Sequence, residues 1–267
     1  MFSVEWLALR EPADSAARSE ALTRALADAM PGDGPLQVLD LASGTGANAR
    51  YLSGRLRRDQ DWLLTDHDAV LLSAVPDQLT AADGRTCHIT TRRVDLSTLD
   101  ADLFGNRQLV TASALLDLVS ESWIRRAAQH CRRSRATVLF ALTYNGRIEC
   151  DPADAEDTTL RDLVNRHQLT DKGFGPALGP SAPAAAERVF SEAGYAVRRA
   201  ASDWKLTPDM GELQRQLIEG WASAARELDR GRRQAIDGWL SRRLSLINRR
   251  ASRVIVGHDD LLAVPRD

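Results

Sequence analysis

Short apolar runs alternate with amphipathic segments along most of the chain. The apolar runs, rich in Val and Leu, predict strands over residues 36–41, 61–66, 86–93, 107–114, 136–144 and 195–204. Apolar residues that recur every three or four positions predict intervening helices over residues 47–58, 68–80, 122–133 and 181–193. Alternating strands and helices of this kind form a parallel sheet that is covered by helices on both faces. We therefore predict a doubly wound α/β fold.

Two segments interrupt this alternation. Residues 1–35 hold a helical pattern over 14–30 that ends at a Gly/Pro-rich break, which predicts an N-terminal helical cap. Residues 145–180 contain a helical stretch over 156–169 followed by a Gly/Pro loop, and connections of that length often carry function. We expect this second segment to act as a lid over a binding site.

The last part of the chain completes the predicted sheet. Two amphipathic helices within residues 208–246 form an insert that spans residues 205–248, and a final strand follows over 252–265. With that strand the sheet has seven strands. We expect residues 1–267 to form a single domain, because one core with inserts suits a chain of this length.

Composition and charge limit the kind of partner. The chain has 267 residues, of which 43% are hydrophobic and 27% charged, and its formal net charge is −2 with a pI near 6.2. Such a balance attracts neither nucleic acid nor an anionic membrane in general, so we expect a small-molecule partner. Three cysteines without metal-ligand spacing and a charged N-terminus favour a cytoplasmic protein. No apolar run is long enough for a membrane helix, and we expect a monomer or homodimer.

An acid stands at or near the end of each of the first three predicted strands, namely Asp40, Asp66 and Asp95. The carboxyl ends of parallel strands share one edge of a sheet, where α/β proteins bind ligands. Carboxylates accept hydrogen bonds from ribose hydroxyls and attract positive charge, while Gly44 and Gly46 allow the backbone to approach a ligand closely. The pattern favours a cationic nucleoside.

These motifs resemble those of the class I S-adenosylmethionine-dependent methyltransferases over about residues 36–144. The resemblance is carried by LDLASGTG at 39–46, LLTDHD at 63–68, VDLS at 94–97 and LVTASALLDLVSESWI at 109–124. It implies S-adenosylmethionine as cofactor and S-adenosylhomocysteine as product. It also implies that the last strand is inserted antiparallel beside the fifth.

The resemblance places the cofactor on residues at the strand ends. Methionine would lie near Asp40, Ala42, Ser43, Gly44 and Gly46, ribose on Asp66, adenine near His67, Asp95 and Leu96, and the sulfonium below Ser113. Ala42 departs from the family, which usually has its first glycine there. An alanine methyl is acceptable at that position if the φ angle is not positive.

Three other interpretations remain open. The spacing Gly44-x-Gly46-x-x-Ala49, with Asp66 about 20 residues on, also fits the dinucleotide fingerprint of an NAD(P)-binding oxidoreductase. Against this, Asp40 and Asp95 would bring negative charge close to a pyrophosphate. The chain could instead bind S-adenosylmethionine without catalysis. Arginines near the C-terminus would suit an RNA methyltransferase, although arginines on amphipathic helices are more often solvated.

In-line methyl transfer depends mainly on proximity and alignment, and it needs a base only for a protonated acceptor. We name Tyr144, His167 and His258 as candidate catalytic residues. Other polar candidates near the strand ends and inserts are Ser113, Asp117, Asn145, Lys172 and Trp204. The HDD stretch at 258–260 has no second cluster of metal ligands, so we expect no metal. The sequence therefore predicts methylation of a small molecule.

Overall fold

The structure is a computed structural model that describes residues 3–30 and 34–266. Within them the strands are β1 Leu36–Leu41, β2 Gln60–Asp66, β3 Gln78–Thr80, β4 Thr86–Arg93, β5 Leu109–Ser113, β6 Thr137–Asp151, β7 Tyr195–Ala201, β8 Trp204–Leu206 and β9 Arg253–Pro265. These nine strands form one sheet in the order β3-β4-β2-β1-β5-β6-β9-β7, with β8 paired to β9.

The central strands run parallel, as predicted. β4, β2, β1, β5 and β6 form parallel pairs, whereas β9 is antiparallel to both β6 and β7. The mostly parallel α/β sheet with an antiparallel last strand beside the fifth main strand is therefore confirmed. The count of seven strands is wrong, because β3 and β8 are two additional short strands.

The helices are α1 Val4–Ala17, α2 Glu20–Asp28, α3 Ala47–Ser53, α4 Ala69–Ser73, α5 Ala101–Phe104, α6 Glu121–Ser134, α7 Asp157–Gln168, α8 Ala182–Glu192, α9 Gly211–Leu228 and α10 Arg233–Asn248. The predicted single helix over 14–30 is wrong. Arg18 is extended at the end of α1, and the Ser19 hydroxyl caps α2 by accepting from the Leu22 amide at 3.3 Å. The chain therefore forms two helices, α1 and α2, over this part.

Other predicted boundaries also changed for local reasons. The predicted helix over 68–80 ends at Ser73 as α4, shortly before Pro76, and its last residues form β3 instead. The predicted helix over 47–58 ends at Ser53, where Gly54 forms the C-cap. The predicted strand over 195–204 divides into β7 and β8.

The core consists of three apolar clusters. One lies between the sheet and helices α5, α6 and α8, and a second lies on the opposite face under α2 and α3. The third lies beyond the carboxyl edge of the parallel strands and joins α1, α7, α9 and α10 to β8 and the far parts of β6 and β9. This third cluster supports a helical roof above the strand ends.

A long strand carries this roof. The predicted boundary at residue 144 is wrong, because β6 continues to Asp151 and pairs with β9 from Ile148 opposite Val256 to Asp151 opposite Arg253. The lid predicted for 145–180 therefore begins as part of the sheet. Among the described residues, no helix combines the length and apolar character that a membrane span requires.

A buried arginine fixes α10 to the start of α7. Arg243 is fully buried, donates from Nη1 to the Pro152 carbonyl at 2.6 Å and pairs with the Asp157 carboxylate through Nη2. The Trp239 indole donates to the other oxygen of Asp157 at 2.8 Å. Because α10 packs on α9 within the third cluster, this contact helps to hold the roof in place.

Candidate functional site

A cavity of about 720 Å³ lies at the carboxyl edge of β1, β2 and β5, beneath the roof helices. This volume is typical of small-molecule sites. Its floor includes seven of the predicted cofactor residues, namely Asp40, Ala42, Ser43, Gly44, Asp66, His67 and Ser113. Its roof includes Trp6, Leu7 and Arg10 of α1, Val164 and His167 of α7, and Leu217, Gly220 and Trp221 of α9. Residues from the strand-end motifs and from all three predicted inserts therefore line the same cavity.

The turn after β1 has left-handed backbone at three positions. The φ angles are +52° at Ala42, +53° at Gly44 and +82° at Gly46. An alanine at residue 42 is acceptable only if its φ angle is not positive, and this condition is not met. The backbone at Ala42 has a left-handed conformation that is strained for L-residues. The strain explains why glycine suits this position better.

Asp66 connects this turn to β2. Its Oδ2 accepts from the Gly44 amide at 2.9 Å, and its Oδ1 accepts from the Asp68 amide at 3.0 Å. The His67 Nδ1 atom lies 3.2 Å from Oδ1. A carboxylate offers about four lone-pair positions, so acceptor capacity remains on the side chain that lines the cavity.

A buried polar network joins the N-terminal helices to the end of β1. The Asn48 amide donates to Asp40 Oδ1 at 2.8 Å and to Thr111 Oγ1 at 3.0 Å. Arg18 donates to Asn48 Oδ1 at 2.8 Å, and its guanidinium lies 4.5 Å from the Tyr51 ring centre. Arg18 Nε also lies 3.5 Å from Asp260 Oδ2. Arg18 therefore acts as a buried cation at the cavity floor.

Several polar atoms on this floor lack a partner. Asp40 Oδ2, Ser43 Oγ and Arg18 Nη2 are buried and form no hydrogen bond, and Arg18 Nε has only the 3.5 Å contact with Asp260. Leaving such atoms unsatisfied is costly, and native structures usually supply a protein, water or ligand partner. All three residues line the cavity, so a polar ligand there can supply the missing partners.

The sequence places Arg18, with Trp6 and Arg10, on an N-terminal helix that is expected to fold over the cofactor, but it singles out neither Arg18 nor Asn48 as a cofactor residue. Arg18 stands at a break between two helices, and nothing in the local sequence shows that its side chain is buried. Asn48 is easier to predict from the sequence than Arg18. It lies two residues beyond Gly46 at the start of α3, and the turn before this helix faces the ligand edge of the sheet.

Asp40 is fully buried, and burial raises its pKa to about 7. The hydrogen bond from Asn48 and the charge of Arg18 act to lower this pKa, while the charge of Asp66 raises it further. Desolvation is the largest of these causes. The carboxyl group therefore changes its charge near neutral pH.

We expect Asp40→Asn to gain stability relative to the wild type as pH rises. The Asp40 carboxyl has a pKa near 3.9 in the unfolded chain and about 7 in the folded chain. Ionisation of this group therefore lowers the free energy of unfolding of the wild type as pH rises between these two values. The free-energy advantage of the variant in urea unfolding should be about 2–3 kcal/mol larger at pH 8 than at pH 5. His258 and Asp117 titrate in both proteins and cancel. An advantage that does not change with pH would contradict the buried, high-pKa carboxyl.

The roof presents one histidine to the cavity. His167 lines the cavity, and its Nε2 atom lies 3.1 Å from Glu227 Oε2 at the end of α9. Lys172 also lines the cavity and donates to the Thr170 hydroxyl at 2.7 Å. Arg10 forms two hydrogen bonds to Asp14, at 2.9 and 3.0 Å, so this pair contributes little net charge.

Two other candidate catalytic residues lie outside the cavity lining. The Tyr144 hydroxyl donates to Asn165 Oδ1 at 2.6 Å behind the roof. His258 is buried near the rings of Tyr144 and Trp204, and burial lowers its pKa to about 3. His258 is therefore neutral at physiological pH. Of the three candidates, the structure brings only His167 to the cavity.

Three predicted cofactor residues also lie outside the lining. Gly46 forms the N-cap of α3, and the Leu96 carbonyl accepts from the Trp123 indole at 2.7 Å. Asp95 accepts from the Ser97 amide at 2.8 Å, which lowers the pKa of its carboxyl. Asp95 thus stabilises a local turn, and Leu71 of α4 lines the cavity.

The HDD stretch is structural. Asp260 accepts from the amides of Ser19 and Leu142, both at 2.9 Å, and Asp259 accepts from the Asn145 side chain at 3.0 Å. Across residues 3–30 and 34–266, no group of three or more His, Cys, Asp or Glu side chains is arranged to hold a metal ion.

The sequence matches no family model and no curated protein. In fold, the chain is similar to solved structures of a putative methyltransferase and of a cyclopropane synthase. A putative type II methyltransferase from Anaeromyxobacter dehalogenans superposes with a TM-score of 0.52 at 14% identity, over 93% of this chain and 97% of that one. The cyclopropane synthase MmaA2 from Mycobacterium tuberculosis gives a TM-score of 0.51 at 9% identity, over 98% and 94%. The chain has the class I S-adenosylmethionine-dependent methyltransferase fold.

Proposed function

We propose that this chain is an S-adenosylmethionine-dependent methyltransferase that acts on a small-molecule acceptor. The observation that carries the proposal is the set of unpartnered polar atoms on Arg18, Asp40 and Ser43 at the end of β1, next to Asp66 at the end of β2. A guanidinium and a carboxylate together match the two charges of an amino acid. The neighbouring carboxylate matches a ribose.

The residues present fit this cofactor. Arg18 would hold its carboxylate, Asp40 would face its ammonium group, and Asp66 would accept from the ribose hydroxyls. His67 and Leu71 would border the adenine, with Asp95 and Leu96 outside the present lining. Ser113 at the end of β5 would lie near the sulfonium. Gly44 keeps the turn close to the ligand, since its φ of +53° suits glycine.

When bound, S-adenosylmethionine supplies a methyl group on a sulfonium sulfur, and an acceptor lone pair displaces the sulfur in line. The chain contributes a floor that orients the methyl donor and a helical roof that excludes water and aligns the acceptor. For a protonated acceptor, His167 would take the proton while Glu227 orients the imidazole from the other side.

The geometry gives the dinucleotide interpretation less support. The Gly44 amide already donates to Asp66, so it is engaged where a pyrophosphate would need it. Asp40 adds a second acid to the same floor. Helix α3, which follows the turn, has only seven residues.

Pairing of the C-terminal arginines gives RNA binding less support as well. Of the seven arginines that would form a basic face, at 232, 233, 242, 243, 249, 250 and 253, three have carboxylate partners within 4 Å, in the pairs Arg232–Asp229, Arg242–Asp154 and Arg243–Asp157. Neutralised arginines contribute little to phosphate binding. A protein that binds the cofactor without catalysis would share the same floor, and only a turnover assay separates it from an enzyme.

We also propose that the three inserts form parts of one site within a single domain, residues 1–267. α1 belongs to the cap at 1–35, α7 to the segment 145–180, and α9 to the insert 205–248, and each lines the cavity. Residues 1–2 and 31–33 of the cap lie outside the described residues. Variants of Arg18, His167 and Gly220, discussed below, test one insert each.

Asp66→Ala should weaken S-adenosylhomocysteine binding about 10- to 100-fold, since hydrogen bonds to a charged group contribute about 1.5–3 kcal/mol. Asp66→Asn, which retains one acceptor oxygen, should lose less. Asp61→Ala is the matched control, because Asp61 lies on the same strand but pairs with Gln37 at 2.6 Å, away from the cavity. Calorimetric titration measures all three. Equal affinity of folded Asp66→Ala and the wild type would reject the ribose role.

A further inference from the structure

Helix α9 has two different apolar faces. One face packs into the third core cluster through Leu213, Ile218, Ala222 and Ala225. The other face lines the cavity through Leu217, Gly220, Trp221 and Ala224, with Gln216 beside them. Leu217 and Trp221 also contact the third cluster at their edges, and Gly220 is exposed. Among the described residues this second face borders the open space of the cavity, where a ligand can contact it.

Gly220 is unusual within this face. Glycine in a helix interior is less favourable than alanine by about 1 kcal/mol. A Cβ atom built on Gly220 would meet no heavy atom within 4 Å, so no protein neighbour requires the glycine. The missing side chain instead leaves a flat area of helix surface at the cavity wall.

The surrounding wall is apolar and aromatic. Trp6 and Leu7 of α1, Val164 of α7 and Phe174 line the cavity with Trp221. The charges of Arg10 and Asp14 in the same roof neutralise each other through two hydrogen bonds. The Trp6 indole nitrogen is buried without a hydrogen-bond partner. Such a wall suits an aromatic ring better than a short polar amine.

We propose that the methyl acceptor is a planar, largely apolar molecule that lies against α9 at Gly220, and that this glycine sets the space available to its ring. This inference rests on the proposed methyltransferase function and deepens it. A side chain at residue 220 would occupy the position of the ring without touching the cofactor floor.

The test is a calorimetric titration of protein saturated with S-adenosylhomocysteine, using 2-naphthol, ethanolamine and decanoate as probes. We expect 2-naphthol to bind and the other two to bind much more weakly or not at all. Gly220→Ala should reduce 2-naphthol affinity at least about tenfold, as one misplaced methylene does in a fitted pocket, while S-adenosylhomocysteine affinity stays within about twofold.

Gly238→Ala is the matched control. Gly238 lies inside α10, outside the cavity lining, and its added Cβ would meet only the flexible Arg242 side chain at 3.4 Å. Both alanine variants should raise the Tm by about 2–4 °C through helix propensity, which shows that each is folded. Only Gly220→Ala should weaken 2-naphthol binding.

The outcomes separate this inference from the proposed function. If S-adenosylhomocysteine does not bind the wild type, the proposed function fails. If it binds but 2-naphthol does not, or if ethanolamine or decanoate binds more tightly, the planar acceptor is rejected. Equal 2-naphthol affinities for folded Gly220→Ala and Gly238→Ala would reject the role of Gly220.

Discussion

Arg18→Met should lower the affinity for S-adenosylhomocysteine at least about 100-fold. The guanidinium is buried on the cavity floor, where its Nε lies 3.5 Å from Asp260 Oδ2 and its Nη2 has no hydrogen-bond partner. If Nη2 holds the ligand carboxylate, removing the guanidinium leaves a desolvated charge unpaired, which typically costs about 2–5 kcal/mol. Methionine keeps much of the side-chain length and apolar volume, so packing against Tyr51 is largely retained.

Arg243→Met is the matched control for this effect. Arg243 is also buried and also contacts a carboxylate, Asp157, but it lies outside the cavity. Removing one partner of a buried pair destabilises a protein by about 3–5 kcal/mol, so both variants should unfold at lower urea concentration. Affinity measured on the folded fraction should fall only in Arg18→Met. Equal affinity losses in the two variants would show that Arg18 acts through stability alone.

His167→Gln should reduce the rate of methyl transfer to a hydroxyl acceptor by about 10²–10⁴-fold, the usual contribution of a positioned acid or base. His167 lines the cavity, and its contact with Glu227 orients the ring. S-adenosylhomocysteine affinity should stay within about twofold. Initial rates with 2-naphthol and labelled methyl donor, measured as a function of pH, report the change.

The control for His167 is His130→Gln. His130 stacks on Phe104 with ring centres 4.9 Å apart and lies outside the cavity, so its loss should leave both rate and pH profile unchanged. Glu227→Gln should slow transfer less than His167→Gln, since Glu227 only orients the ring. A His167→Gln enzyme with the wild-type rate and pH profile would exclude a base role for this residue.

The floor of the site follows from the sequence more directly than the roof. Apolar runs mark the parallel strands, and the chemistry of the fold then requires ligand residues at their carboxyl ends, which brings Asp40 and Asp66 to one cavity. These placements depend on local pattern and on sheet topology. Both are visible in a sequence.

The roof depends on contacts between distant segments. Arg18 contacts Asn48, which is 30 residues away, and α9 packs against α7, which itself packs on β6. No periodicity indicates which face of α9 a cavity leaves open. The strain at Ala42 was also hidden, because a φ of +52° at alanine is contrary to the intrinsic preference of the residue.

The most direct test of the central claim is calorimetric titration of the wild-type protein with S-adenosylmethionine, S-adenosylhomocysteine and NADH in parallel. The proposed site predicts that the first two bind with a stoichiometry of one per chain and that NADH does not bind. Binding of NADH alone would contradict the account and would make the turn at Gly44 a pyrophosphate site.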